Sequence, residues 1–415
     1  MSTLRDDCFS PPSGGTWTPV ERALAHLRAG LVAVTEVEEV PLWHAAGRVL
    51  AAPTRARRAH PPTANAAVDG YAFAAPGERG GALSLPLLEG RAAAGSPFDG
   101  PVPGGHAVRI LTGAPLPLGV DTVVLQEDVQ IADGRLDVPA GWRRGANARD
   151  AGEDLTAGQA LLQAGHRLRA PDLALLAAAG LREVAVHRPL RVALLSTGDE
   201  LAPDDQPAAG SEIPDANRPM LAAALAAWGA EVVDLGQAPD QAAAVEAALD
   251  RGRETAHAIV TTGGASAGDE DHISAALRTA GTLGIWRIAM KPGRPLALGL
   301  WRGTPVFGLP GNPVAAFTCA ALFARPALAV LAGTTWPEPA VVDVPAAFEK
   351  TKKAGRRELL RARLVGGRAE VFASEGSGRV SGLSWADGFV ELLEPAQSVR
   401  PGDPVRYISF ASLGL

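Results

Sequence analysis

Between Ile259 and His272 the chain sets an apolar run, Ile259-Val260-Thr261-Thr262, against the glycines Gly263-Gly264, and these against the acids Asp269-Glu270-Asp271. Glycine permits close main-chain approach and positive φ, so that N–H groups can turn toward an anion. Carboxylates beside such a loop would repel a phosphate unless a hard cation such as Mg²⁺ lay between them. The combination points to metal-assisted chemistry on a phosphorylated ligand. The plainer alternative is a strand–turn–helix corner with Asp271 as the helix N-cap.

Other segments carry chemistry of the same kind. Val68-Asp69-Gly70-Tyr71 places an acid in a tight turn, and Leu111-Thr112-Gly113-Ala114-Pro115 ends an apolar run in a rigid loop bearing a hydroxyl. Arg149-Asp150-Ala151-Gly152-Glu153-Asp154 packs charges around a glycine, and Asp240 follows Pro239 as the N-cap of a helix would. The basic counterpart is Arg287-Ile288-Ala289-Met290-Lys291-Pro292-Gly293-Arg294-Pro295. Lysine offers a compact point charge and arginine a forked donor, a pairing suited to oxyanions. Asn312-Pro313 follows Gly311 where a helix should start, so its free N–H groups would make an anion site. His166 and His272 could ligate a metal, but neither has a second histidine or cysteine at ligand spacing.

The elements that must position these residues follow from pattern and punctuation. At 415 residues the chain is long enough for two to four domains. Thr18-Pro19-Val20-Glu21 reads as a capping box opening a helix to about Arg28, and Pro171-Asp172 opens another that Gly180 stops. Between them, Gly- and Pro-rich sequence with short β-type runs predicts an inserted β-rich module. From Leu190, Val192–Leu195, Glu231–Leu235, Ala258–Thr261 and Pro305–Gly308 read as strands, the first three separated by helix-like stretches. That alternation predicts a mostly parallel sheet whose ligand sits beyond the carboxyl ends of its strands. There lie Ser196-Thr197-Gly198-Asp199-Glu200, the loop 263–271, and Leu309-Pro310-Gly311-Asn312-Pro313. After Gly333 short strands predict a small barrel or sandwich. The expected division is thus a discontinuous helical domain (1–52 and 150–186), an inserted β-rich domain (53–149), an α/β domain (187–333) and a C-terminal β-barrel (334–415).

Hydrophobic content of 47% with 20% charged residues describes a globular chain, and a net charge of −6 with no dominant Lys/Arg block argues against nucleic acid. Cys8 and Cys319 are too few for a disulfide framework and fit a reducing compartment. Asp6 and Asp7 stand where a signal peptide needs an apolar core, so a cytoplasmic protein is expected. Val314 to Gly333 is apolar enough to raise a membrane span, but Arg325-Pro326 favours a buried, kinked helix.

Taken in order, these motifs resemble the MoeA family of molybdopterin molybdenumtransferases, which includes the gephyrin E domain. The resemblance runs from about Thr18 to the C-terminus. It rests on Asn65-Ala66-Ala67-Val68-Asp69-Gly70-Tyr71-Ala72, Thr112–Pro117, Ala151-Gly152-Glu153-Asp154, Ser196–Leu201, Thr262-Gly263-Gly264, Lys291-Pro292-Gly293 and Gly308–Pro313. It implies the same domain layout, an elongated homodimer whose active cleft takes parts of both chains, and a reaction. In that reaction adenylylated molybdopterin and molybdate give molybdenum cofactor, with release of AMP in a Mg²⁺-dependent step. It implies an acidic site at Asp69, Asp154, Glu200, Asp240 and Asp271, with Asp269, Asp271, Asp240 and Glu200 near the metal. Substrate contacts fall on Thr112, Arg149, Ser196, Gly263, Gly264 and Asn312, and an oxyanion pocket on Lys291, Arg294, Arg356 or Arg357, and Ser377. Docking of molybdopterin adenylyltransferase or molybdoenzyme chaperones is a further implication.

The chain departs from the family pattern in places. Ala64 and Ala66 stand for an acid and a hydroxyl, Arg294 for a lysine, Ala315 for a serine, and Ala265 and Ala267 for valines. The acidic set is retained, which weighs against a non-catalytic gephyrin-like scaffold. The segments 18–186 and 334–415 weigh against a bare adenylyltransferase of the same pathway.

Overall fold

The computed structural model of the chain describes residues 17–203, 206–263, 272–293 and 295–415. At its centre is a six-stranded sheet in the order Glu231–Ala238, Arg191–Thr197, Ala258–Thr262, Thr304–Leu309, Pro295–Trp301, Gly281–Arg287. The first four strands are parallel, as their apolar runs and intervening helices predict, and the last two are antiparallel. Alternation along each strand feeds two cores. Val192, Leu194, Val260 and Phe307 face one layer, which holds Leu221 and Leu225 of the helix Asn217–Ala227. Ala193, Leu195, Ile259 and Val306 face the other, against Val245 and Leu249 of Ala242–Thr255 and Ile273 and Leu277 of His272–Ala280. A strand buried on both faces has no polar side to show, and hence reads as a continuous apolar run.

The antiparallel edge was not expected. Its two strands flank a detour in which Met290-Lys291 leaves the sheet and pairs, in parallel, with Arg357–Val365 of the C-terminal segment. Register there sets Lys291 opposite Glu358. That segment's sheet runs on through Gly388–Leu392, Pro404–Ser409 and Val341–Pro345, with Arg368–Val371 on a branch and a separate pair, Lys350–Lys352 with Gln397–Val399.

The sequence inserted after Pro53 forms its own sheet, ordered Thr122–Leu125, Gly70–Phe73, Ala107–Ile110, Leu83–Ala92, Arg135–Val138, Gln130–Ala132. Gly70 has no room for a side chain, since a Cβ there would lie 1.8 Å from the Val124 carbonyl oxygen. The segments flanking the insertion share a core of Val40, Leu50, Leu155, Leu168, Leu176 and Val186. Among the described residues this unit carries one α-helix, Ala170–Ala178, a short 3-10 turn, Leu42–His44, and a three-stranded sheet, so it is less helical than expected.

The first helix, Val20–Gly30, does not join that unit. Its Val20, Ala23 and Leu27 pack into the core that also holds Leu190, Leu331 and Leu413. Nor does its capping box form. The Thr18 main chain is tied to the detour instead, its N–H donating to the Arg287 carbonyl (2.8 Å) and its carbonyl accepting from Ala289 (2.8 Å), while Glu21 reaches Arg357. The apolar helix Pro313–Leu331 is long enough to cross a membrane but mostly buried here. It is broken by a π-helical turn, Ala320–Ala324, directly before Arg325-Pro326, because proline cannot donate to the preceding turn.

Candidate active site

Three turns meet at the carboxyl edge of the parallel strands. Gly263, at φ +87°, sits against Thr197, where a Cβ would come 2.2 Å from the Thr197 carbonyl oxygen. A Cβ on Gly311 would lie 3.9 Å from the Gly263 Cα, so the second and third turns are also in contact. Asn217 locks them from beneath, donating to Thr262 Oγ1 (2.7 Å) and to the Gly311 carbonyl (2.6 Å). Its own N–H, like that of Arg218, is capped by Asp215 Oδ1 (3.1 Å each). Ser196 Oγ, Thr197 Oγ1, Thr261 Oγ1 and Asn217 Oδ1 are buried without a hydrogen-bond partner among the described residues. Buried polar atoms are ordinarily satisfied, so a row of orphans under a glycine edge marks a place for water or ligand.

Acids ring this edge. Glu200 folds back over Gly198, and Asp199 Oδ1 accepts the Asp240 N–H (2.9 Å). Asp240 in turn has His272 Nε2 at 3.9 Å. Asp269, Asp271 and Gly264 lie outside the described residues, as does Arg294. Among the described residues no three His, Cys, Asp or Glu side chains are grouped to hold a metal ion. His166 is committed elsewhere, with Nε2 2.8 Å from Asp172 Oδ2 at the start of the helix Ala170–Ala178.

A second group lies on the inserted sheet. Asp69 Oδ1 accepts from both the N–H and the hydroxyl of Thr112, each at 2.7 Å. The Thr112 hydroxyl, then its N–H, hold the Asp69 carboxyl below its ordinary value, so it is a firm carboxylate. The strand Asn65-Ala66 runs between these residues and Arg149, pairing with Ala148-Arg149 on one side and exchanging main-chain hydrogen bonds with Gly113 and Ala114 on the other. Arg149 approaches Glu153 (3.8 Å), and the Asp154 N–H donates to the His60 carbonyl (3.1 Å). Asp69 and Thr112 are thus linked to Arg149 through the strand Asn65-Ala66, with Asp154 following Glu153, whereas Ser196, Glu200, Asp240, Gly263 and Asn312 belong to the edge of the parallel sheet.

The oxyanion residues meet where the detour touches the C-terminal sheet. Lys291 Nζ is 2.5 Å from Glu375 Oε2, and Glu375 also binds Lys350, which pairs with Glu358 (3.0 Å). Ser377 sits beside Asn312 through its main chain, its carbonyl accepting the Val314 N–H (3.0 Å). That N–H, expected to be free for an anion, is thus used. Arg357 is a second correction. Its side chain is buried, with Glu21 (2.8 Å), Glu391 (3.0 Å) and Glu394 (3.1 Å) around the guanidinium. Strand alternation turns it to the face opposite Glu358, leaving Arg356 as the remaining member of that pair.

Two residues were missed. Arg361 donates to the carbonyls of Ser374, Gly376 and Arg379 and stacks on Phe372 at 5.0 Å, so it fixes the course of the loop that carries Glu375 and Ser377. Lys350 brings a second ammonium beside Lys291. Neither belongs to a local motif: Arg361 acts through residues 13 to 18 positions away, and Lys350 through Glu375, 25 positions away.

Comparison with known proteins gives three family models. "MoeA N-terminal region (domain I and II)" matches residues 18–180, "Probable molybdopterin binding domain" matches 193–330, and "MoeA C-terminal region (domain IV)" matches 343–410. A molybdopterin molybdenumtransferase of Haemophilus influenzae is 34% identical over 386 residues, covering 91% of this chain and 95% of its own. Molybdopterin molybdenumtransferase 2 of Mycobacterium tuberculosis is 33% identical, with 88% and 92% covered. A crystal structure of a molybdopterin biosynthesis MoeA protein from Pyrococcus horikoshii superposes with a TM-score of 0.82 at 28% identity, over 95% of this chain and 100% of that one.

Proposed function

The chain belongs to the MoeA family, and from that premise we propose that it is a molybdopterin molybdenumtransferase, placing molybdenum from molybdate into adenylylated molybdopterin with release of AMP. The observation that carries this reading is the meeting of an acid-ringed glycine edge with a lysine pair seated between two sheets. The first suits a phosphorylated pterin and the second a tetrahedral dianion. The relatives' printed names support the same reaction.

The residues fit a divalent cation. Mg²⁺ keeps several waters and takes one or two protein carboxylates beside substrate phosphates, so it needs no closed protein cage. Glu200 and Asp240, with Asp199 held against the Asp240 main chain, would supply those carboxylates above the unpartnered hydroxyls of Ser196 and Thr197. When bound, such an ion would offset negative charge on the departing phosphate. The chain's own residues do the rest. Lys291 and Ser377 hold the oxyanion, Gly263 lets the main chain approach the ligand, and Asn217 fixes the spacing of the turns. Holding both reactants in place supplies much of the acceleration.

In this reading the Asp69 group reaches the site from a second copy. It stands on a separate sheet from the glycine edge, and a homodimer would place one protomer's Asp69, Thr112, Arg149 and Asp154 over the other's Lys291. The test is AMP release from adenylylated molybdopterin with Mg²⁺ and molybdate. Lys291→Ala and Asp240→Asn should each cut the rate at least tenfold, about the loss of one charged contact. Wild-type rates in both, or ATP consumption with free molybdopterin, would sink the assignment.

A further inference from the structure

Lys291 and Lys350 do not wait empty. Both ammonium groups close on a single carboxylate, that of Glu375, one on each oxygen. Two lysines spanned by one acid are the arrangement that two lysines would adopt around a bound oxyanion. The cluster also holds Glu358, so the two ammonium groups already face two carboxylates. A dianion arriving without any departure would add its charge beside both.

The surroundings decide which acid leaves. Glu358 lies in a paired strand with its side chain 12% exposed, whereas Glu375 is on a loop and 43% exposed. Arg361 grips the carbonyls on both sides of Glu375, those of Ser374 and Gly376. The main chain is thereby fixed and only the side chain is free to swing. The open side of this seat is a cavity bordered by Lys291, Val314, Glu358, Arg361, Phe372 and Glu375.

We propose that Glu375 is a built-in occupant of the oxyanion seat, that Lys350 is a second cationic wall of it, and that a tetrahedral dianion binds by exchange, displacing the Glu375 carboxylate from both lysines. This rests on the molybdate-transfer reading and deepens it. Glu375 then sets the apparent affinity of the seat, because any oxyanion must displace its carboxylate before it binds. Lys291, then Lys350, hold the Glu375 carboxyl below its ordinary value, so the occupant is charged at neutral pH.

The experiment is equilibrium binding of sodium molybdate, with sulfate and perrhenate in parallel, to the full chain by calorimetry, without pterin. An occupied seat lowers apparent affinity by the open fraction, so Glu375→Gln and Glu375→Ser should both bind molybdate about fivefold or more tighter than wild type. Lys350→Gln should bind it about tenfold weaker, as expected for losing one charge-assisted contact. Sulfate and perrhenate should gain by a similar factor, because the open fraction belongs to the seat and not to the ligand. Equal or weaker molybdate binding by the Glu375 variants, no change in Lys350→Gln, or no oxyanion binding by any of them overturns the proposal. So does collapse of both Glu375 variants in thermal melts, which would make Glu375 a strut. AMP release by wild type is followed separately. Its failure with the binding order intact would remove the functional reading and leave the exchange seat.

Discussion

Arg357→Met separates a structural cation from a ligand-binding one. The Arg357 side chain is 8% exposed and its guanidinium is shared by Glu391, itself 5% exposed, Glu394 and Glu21. Removing one partner of a buried pair costs about 3–5 kcal/mol, because the other charge is left desolvated. Here Glu391 keeps Arg406 at 2.8 Å, and Glu21 and Glu394 are open enough to rehydrate, so the low end, about 3 kcal/mol, applies. For a cooperative unit of 150–250 residues that is a fall of roughly 6–12 °C in melting temperature. The assay is a thermal melt at neutral pH beside AMP-release kinetics well below the melt. Molybdate KM should stay within twofold of wild type. A melting point within 2 °C of wild type, or a tenfold rise in molybdate KM with the fold intact, would refute the reasoning and return Arg357 to the oxyanion pocket.

Four further outcomes are expected. Thr112→Val removes the hydroxyl that most depresses the Asp69 pKa. A lowered folded-state pKa gives stability that is present above the ordinary carboxylate value and lost as pH falls through the lowered one. The variant should therefore lose it at higher pH, and carbon-NMR titration of Asp69 should show its pKa rising. Gly263→Ala, strained at φ +87° and blocked by the Thr197 carbonyl, should cost roughly 2 kcal/mol or more in a denaturant melt and lower AMP release with it. Cys319, whose thiol burial pushes up to about 12, should resist iodoacetamide at pH 8 until denaturant is added, as read by peptide mass spectrometry. Asp69→Asn and Lys291→Ala, each inactive alone, should recover about a quarter of wild-type AMP release when refolded together, since half of the reassorted dimers carry one intact site.

The sequence made three of the parallel strands plain, Arg191–Thr197, Ala258–Thr262 and Thr304–Leu309, because each is buried on both faces and reads as an apolar run that leads into a glycine turn. Gly198, Gly263 and Gly311 announced the edge where ligand chemistry gathers. The hairpin-like edge, 281–287 with 295–301, stayed hidden because the cationic Arg287–Pro295 stretch between its strands looks like a surface turn. Its real partner, Arg357–Val365, is more than sixty positions on. The same distance concealed Lys350 and Glu375, and made Arg357 look like an oxyanion ligand, since neither strand alternation nor Glu21 is visible from a pair of arginines. Thr18 was misjudged for a related reason. Local spacing favoured a cap, but pairing with the detour satisfies the Thr18 main-chain groups more fully. The family resemblance singled out Lys291, Ser377 and the acids as site residues, and of these Asp269 and Asp271 lie outside the described residues.

The first helix has a consequence for how the polypeptide is made. Val20, Ala23 and Leu27 find their apolar company at Leu190, Leu331 and Leu413, and Glu21 finds Arg357. During synthesis this helix emerges well before Leu331, Arg357 and Leu413, so its seat is finished only after those residues have left the ribosome. Its greasy stripe is uncovered throughout that interval, and nascent chains arrested before the C-terminal sheet should be the ones that holdase chaperones retain.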